Sequence, residues 1–308
     1  MIAPLGSPTR RAALLRIGRA GAGLAALGGL PALVGCGGHR GIAIGSKDFT
    51  EEQLLGEMYA QRLEARGYTV ERKLGLAGTE VAMEALQRGD IDLYPEYTGT
   101  ALLTVLKEKP LPSSRAIYDA VKRAYAERYH LTWLAPAPFD DTQALATTQA
   151  IASRLNLKTL SDLSRAAPQL RLGSIPEFTK REDALPGLQR AYGGFQFQSI
   201  KLFDIGLKYQ ALLTNQVDIV VAFGTDGQIA SDKLYVFVDD KHFWPAYNIA
   251  PVVRDETLAK NPHLAGDLNA LAPLLTDRVM QDLNFQVDGA KRDPGDVARA
   301  FLNQHGLA

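Results

Sequence analysis

The chain has 308 residues, 46% of them hydrophobic and 22% charged, with a formal net charge of zero. That length accommodates two α/β lobes with cores of their own, the composition is ordinary for a soluble globular protein, and the lack of a basic excess argues against nucleic acid as a partner. The balance conceals an asymmetry: residues 1–35 hold four arginines and no acid, which leaves the remainder four charges negative.

Residues 1–35 read as an export signal. Arg10 and Arg11 open a basic region, and Ala20 to Val34 is apolar, rich in small residues and uncharged. Such a run is too short to span a bilayer but suits the apolar part of a signal peptide. It ends in Leu33-Val34-Gly35-Cys36, which resembles a bacterial lipobox, whose cysteine is lipidated and becomes the new N-terminus. Cys36 is the single cysteine, so no internal disulfide can form. The paired arginines resemble a twin-arginine signal, with a plain secretory signal as the alternative. The expectation is an extracytoplasmic, lipid-anchored protein.

After the signal, Gly41 to Ser46 reads as a short apolar strand. Thr50 with Glu51, Glu52 and Gln53 forms a helix start, with acids where the helix dipole favours them. Leu54, Leu55, Met58, Tyr59 and Leu63 recur at helical spacing up to Gly67. Tyr68 to Leu74 is the next strand, a helix from Thr79 to Gly89 follows, and Ile91 to Leu93 is a third strand that should stop at Pro95, since proline cannot donate to a sheet ladder. This order predicts a mostly parallel sheet. The third strand delivers Tyr94, Tyr97 and Thr100 into a loop, and ligands of open α/β sheets bind beyond such carboxyl ends.

Residues 101–140 read as helical, most clearly Ile117 to Tyr129, before Pro136 and Pro138 impose an extended connector. A strand from Asp140 to Ala146 marks a first crossing between lobes. The second half repeats the first: Leu172-Gly173-Ser174 with Phe178-Thr179 parallels Ile44-Gly45-Ser46 with Phe49-Thr50. Leu212 to Gly227 parallels Leu86 to Thr100, with Phe223 in the place of Tyr97. After a strand at Val236 to Val238, Pro245 and Pro251 bracket a second extended connector and crossing. The tail from Glu256 to Leu302 is helical, broken at Pro262 and Pro294, and packs back on the first lobe. Lobe 1 thus comprises 41–141 plus 247–308, and lobe 2 comprises 142–246, about a two-strand hinge.

The five histidines are scattered without metal-ligand spacing, and no nucleophile elbow or phosphate loop is present. No cofactor is implied. The candidate site is a set of aromatic, charged and small polar groups at strand ends: Lys47, Tyr97, Thr100, Asp141, Gln143, Arg181, Phe223 and Tyr247. Each has a structural alternative. Lys47 could be a solvated surface lysine, Arg181 could pair with Glu182 or Asp183, and the tyrosines could be core residues. Their joint placement after strands on both sides of two crossings points to a ligand cleft.

These segments resemble the substrate-binding proteins of bacterial ABC importers for osmoprotectants, the glycine betaine/carnitine/choline family. The resemblance runs through Gly45 to Glu51, Gly78-Thr79-Glu80, Asp92 to Thr100, Pro136 to Phe139, Pro176 to Phe178, Arg181 to Asp183, Thr225-Asp226-Gly227, Pro245 to Val253 and Asn284 to Asp288. It implies an α/β, two-lobed periplasmic-binding-protein fold of type II, with two crossover strands and the ligand cleft between the lobes. It implies a monomeric binding protein, not an enzyme, that captures a small zwitterion or cation and delivers it to ABC permease subunits in the membrane.

The resemblance also implies residue roles. Tyr97 and Tyr247 fall on aromatic-cage positions, Thr100 on a position near the ligand carboxylate, and Lys47 and Arg181 on the cations that hold that carboxylate. Asp141 lies beside the cage. Two positions depart from the pattern. Gln143 stands where an aromatic is usual, and Phe223 where a tyrosine is usual. The alternatives these departures leave are weak betaine binding or a zwitterion with an added hydrogen-bonding group near Gln143, such as ergothioneine. Since fold does not fix function, a sensor or an enzyme on the same scaffold is a separate alternative, with Asp141 and Glu96 the acids to nominate for an enzyme.

Overall fold

The computed structural model describes residues 41–308; the segment read as an export signal, and Cys36, lie outside the described residues. Ten strands divide into two five-stranded sheets. The first contains β1 (Ile42–Lys47), β2 (Val70–Leu76), β3 (Leu93–Tyr97), β4 (Leu131–Trp133) and β10 (Ile249–Arg254). The second contains β5 (Gln143–Thr148), β6 (Arg171–Ser174), β7 (Ser199–Leu202), β8 (Ile219–Phe223) and β9 (Leu234–Val236). Five helices of eleven residues or more accompany them: α1 (Thr50–Ala65), α2 (Gly78–Arg88), α3 (Ser114–Tyr129), α4 (Asp277–Asp288) and α5 (Pro294–Gln304). No helix among the described residues is long and apolar enough to cross a membrane.

The two sheets have one design. Their strand orders are β2-β1-β3-β10-β4 and β7-β6-β8-β5-β9. In each, three parallel strands are followed by a strand antiparallel to the third and a short antiparallel edge. The expectation of a mostly parallel sheet is therefore corrected to a mixed one, because the fourth strand of each sheet enters from the other half of the molecule. The internal repeat seen in the sequence maps onto this plan, β1 onto β6 and β3 onto β8. A shared device fixes both copies. Asp92, just before β3, accepts the backbone N–H of Ala43 at 2.8 Å; Asp218, just before β8, accepts that of Arg171 at 2.9 Å. Each carboxylate ties the start of one parallel strand to its neighbour.

Pro95 does not end its strand. It sits inside β3, opposite Pro251 of β10. The carbonyl of Pro251 accepts Leu134 N–H on the other side of β10, so both backbone polar groups of residue 251 turn away from β3. The two prolines occupy a wide pair where neither N–H would have bridged the strands, and the ladder loses nothing. The same register corrects the second proline connector: its end, Ile249–Arg254, is a strand paired on both sides. Pro294 likewise starts α5 rather than breaking a helix, since its missing N–H is free of a partner at that position anyway.

The connections between the sheets lie side by side. Asp140 and Asn248 form an antiparallel bridge, Asp141 N–H donates to Tyr247 C=O at 3.3 Å, and Tyr247 N–H donates to an Asp140 carboxylate oxygen at 2.7 Å. The C-terminal helices return to α1, where Gln61 donates to Gly295 C=O and Arg62 to Leu307 C=O.

Candidate functional site

The carboxyl ends of β1, β3, β6 and β8 and the two connections surround a cavity of about 550 Å³. All eight residues singled out in the sequence line it: Lys47, Tyr97, Thr100, Asp141, Gln143, Arg181, Phe223 and Tyr247. Strand ends deliver Lys47, Tyr97, Gln143 and Phe223, and the connections deliver Asp141 and Tyr247. Tyr247 lies so close over Gly99 that an added Cβ there would stand 2.7 Å from its ring. A side chain at position 99 would push this wall out of place.

Four residues converge on Asp183, which the sequence raised only as one structural partner of Arg181. Arg181 donates to both of its carboxylate oxygens. Tyr247 donates to Oδ2 at 2.8 Å. Gln143 Nε2 lies 3.0 Å from both Oδ2 and the backbone carbonyl, and Trp244 Nε1 donates to that carbonyl at 2.8 Å. Arg181 also reaches Thr100 Oγ1 at 3.4 Å. Burial alone would lower the arginine's affinity for its proton, but the Asp183 hydrogen bond and charge reverse this and hold it raised. Burial, and then the Asp183 charge, push the Tyr247 phenol well up.

Lys47 is not a solvated lysine. Its ammonium lies 2.7 Å from Glu96 and 3.4 Å from Glu52, all three side chains being buried. Desolvation opposes its charge, yet the two carboxylates hold its pKa above the usual value. One lysine cannot neutralise both acids. Glu96 takes the short contact together with the Tyr94 hydroxyl and Tyr97 N–H. Glu52 is left with Oε1 unbonded, and burial pushes its carboxyl up to about 8. Lys47 Nζ also sits 4.7 Å from the centroid of the Tyr97 ring, which is stacked beside Phe49. Lys208, which the sequence did not single out, repeats this in the other half. It is buried, pairs with Asp226 at 3.3 Å, and lies 5.1 Å from the Phe223 ring and 4.4 Å from Tyr209. A lysine of the chain thus lies over each of three cavity aromatics, Tyr97, Phe223 and Tyr209.

The remaining wall is acidic. Glu51 accepts the Tyr97 hydroxyl and Asn284 Nδ2, both at 2.7 Å. Asp141 accepts the Thr225 hydroxyl at 2.6 Å and its N–H at 3.2 Å. Burial raises both carboxyls, Asp141 well above its usual range; the Asp226 charge adds to both and the Glu51 charge to Asp141. Glu51 was read as a helix-start acid, and the same position carries it into the cavity; nothing in that pattern signals the second role.

The chain matches, over residues 40–304, the family model described as the substrate-binding domain of ABC-type glycine betaine transport systems. It belongs to that family. It is 36% identical to a glycine-betaine-binding protein of Pseudomonas aeruginosa, covering 86% of this chain and 88% of that one. It is 33% identical to a carnitine transport binding protein of Listeria monocytogenes, covering 86% of each. Identity is 35% to an ergothioneine transport permease/ergothioneine binding protein of Helicobacter pylori, over 86% of this chain but only 48% of that longer protein. Among solved structures, a glycine betaine/carnitine/choline ABC transporter chain superposes with a TM-score of 0.72 at 30% identity, covering 86% of this chain and 99% of that one. Apo YehZ of Escherichia coli does so with a TM-score of 0.65 at 33% identity, covering 87% and 99%. The fold is accordingly the two-lobed α/β fold of periplasmic binding proteins, and the family is one of transporter substrate-binding proteins rather than enzymes.

Proposed function

We propose that this substrate-binding protein captures a small quaternary-ammonium zwitterion of the betaine class in the cavity between its two sheets and delivers it to the permease of an ABC importer. In this reading the lobes divide at 141/142 and 246/247. The protein acts as a monomer outside the cytoplasm, anchored through Cys36, and nucleic acid plays no part. The carrying observation is the assembly of Tyr97, Tyr247 and Phe223 with Arg181 and Thr100 around one cavity.

Aromatic faces attract a cation that carries no N–H of its own, at roughly 0.5–2 kcal/mol per ring. Arg181 holds Asp183 with Nε and Nη2, and Nη1 has no partner among the described residues, so donors remain for a ligand carboxylate. Lys47 contributes less than the family resemblance implies, because Glu96 already balances its charge. It orders the Tyr97 ring instead. Lobe closure follows from tighter binding of ligand to the closed state, about the paired connections at Asp140 and Asn248.

The test is calorimetric titration with glycine betaine, proline betaine, carnitine, choline and ergothioneine, after unfolding and refolding to remove carried ligand. At least one betaine binds, and Tyr97→Ala weakens it about tenfold. No binding across the panel overturns the ligand class.

A further inference from the structure

Two acids of the cavity wall are balanced by no cation. Lys47, Arg181 and Lys208 are taken by Glu96, Asp183 and Asp226, whereas Glu51 and Asp141 form no ion pair among the described residues. Both carboxylates stand beside one hydroxyl, that of Thr225, which donates to Asp141 at 2.6 Å and is close enough to act on Glu51 too. A hydroxyl has a single proton to give. Asp141 receives the Thr225 donors on Oδ1, and its Oδ2 has no partner among the described residues in a residue only 7% exposed. Asn284, which donates to Glu51, leaves its own Oδ1 buried and unbonded, one more negative end beside the pair. Glu51, Asp141 and Asn284 all line the cavity, together with Tyr97, whose hydroxyl donates to Glu51.

The charges on neighbouring elements do not relieve this pair. On β1, Lys47 is committed to Glu96. On the short helix Lys208–Leu213, Lys208 and Tyr209 hold Asp226, which still adds its repulsion to both acids. On α4, Asp288 accepts the Thr50 hydroxyl and brings another negative charge. Tyr97 and Tyr209 face the pair as neutral phenols, pushed well up by burial and then by the adjacent carboxylates.

Two carboxyls buried side by side without a cation resist ionising together, and a group in that position keeps its proton instead. A quaternary ammonium seated at the Tyr97 ring changes this. Its charge is permanent, since it has no proton to lose, and an opposite charge within roughly 4–6 Å favours the ionised carboxylate.

We propose that Glu51 and Asp141 are the counter-charge of the ligand's ammonium and that capture of the ligand displaces one proton from this pair. This rests on the betaine reading above and deepens it. The carboxyl O–H bond breaks, its electron pair stays on the oxygen, the proton passes to water or buffer, and the ligand is unaltered. The pair holds its proton more tightly without ligand than with it. Affinity therefore rises with pH as long as the ligand-free pair still carries that proton, and levels off once the proton is gone.

The experiment is calorimetric titration with glycine betaine, or with the tightest-binding of the other four compounds if glycine betaine does not bind. It is run at about pH 7 in phosphate and in Tris, whose heats of protonation differ widely, and then across about pH 5 to 8. The expected result is release of about one proton per ligand, read from the difference in binding heat between the buffers, with Kd falling by up to about tenfold per pH unit. Asp141→Asn and Glu51→Gln each reduce the release, whereas Glu52→Gln, which removes a raised acid outside the cavity wall, leaves it unchanged. Equal heats in the two buffers with a flat pH profile overturn the displacement and leave the betaine reading intact. A release that survives in both Asp141→Asn and Glu51→Gln, or that vanishes in Glu52→Gln, places the proton elsewhere and also overturns it. If none of the five compounds binds, the betaine reading fails and this inference with it. Either of the two cavity variants suffices to place the proton if the other does not fold.

Discussion

At the scale of single residues, the consequential arrangement is one lysine between two buried carboxylates. Glu96 is bonded to Lys47 Nζ, to the Tyr94 hydroxyl and to Tyr97 N–H, while Glu52 is the acid left over. A carboxyl whose folded pKa is raised from 4.5 to about 8 leaves stability fully present below the lower value. That stability is lost as pH rises through the higher one, because the folded state must release a proton it holds more tightly than the unfolded chain does. Between the two values this group lowers stability by at most about 1.4 kcal/mol per pH unit. Glu52→Gln keeps the acceptor for Lys47 N–H and removes the titration. Urea unfolding at about pH 5 and about pH 8 should show the wild type losing more stability over that interval than the variant; equal losses would mean Glu52 is ionised throughout.

At the scale of elements, the parallel strands owe their alignment to Asp92 and Asp218. Replacing either by Ala leaves a strand N–H without its carboxylate, a loss of roughly 1–3 kcal/mol. Since the two lie in different sheets, the losses should add in the double variant, and denaturation midpoints of the four proteins check this. These aspartates lie at matching positions of the two repeated segments, Leu86 to Thr100 and Leu212 to Gly227. The strands of β3 and β10 were less legible. Proline reads as an end to a strand, and only the register across the pair shows that Pro95 and Pro251 meet where no N–H is needed. The eight candidate residues were legible because they follow predicted strands or fall on family motifs. Lys208 and Asp183 were not, since the first lies in a short helix and the second is distinguished only by what converges on it. Glu51 was hidden behind its helix-start role.

At the scale of the whole binding unit, the loop after β8 rests on α4. Asn284 donates to Thr225 C=O and Gln281 to Gly224 C=O, both at 3.0 Å, and a Cβ at Gly227 would stand 2.6–2.7 Å from Phe285 atoms. This contact ties the second sheet's loop to the C-terminal helix α4. Gln281 does not line the cavity, so Gln281→Ala removes a contact between the β8 loop and α4 without touching the ligand. It should raise the ligand dissociation rate about three- to tenfold with little change in association rate, as stopped-flow fluorescence would measure. An unchanged dissociation rate would mean that this contact persists whether or not ligand is held.

The pairing of each cavity cation with its own carboxylate also bears on how a ligand arrives. Lys47 with Glu96, Arg181 with Asp183 and Lys208 with Asp226 present short dipoles rather than free charges. The field of a dipole fades faster with distance than that of a single charge, and dissolved ions screen whatever reaches past about 10 Å at 0.1 M ionic strength. A zwitterion approaching the mouth is itself a dipole, so these three pairs exert little long-range pull on it for salt to abolish. Encounter is governed by diffusion and shape, and recognition begins only at contact. The three pairs thus add little salt dependence of their own to the capture rate.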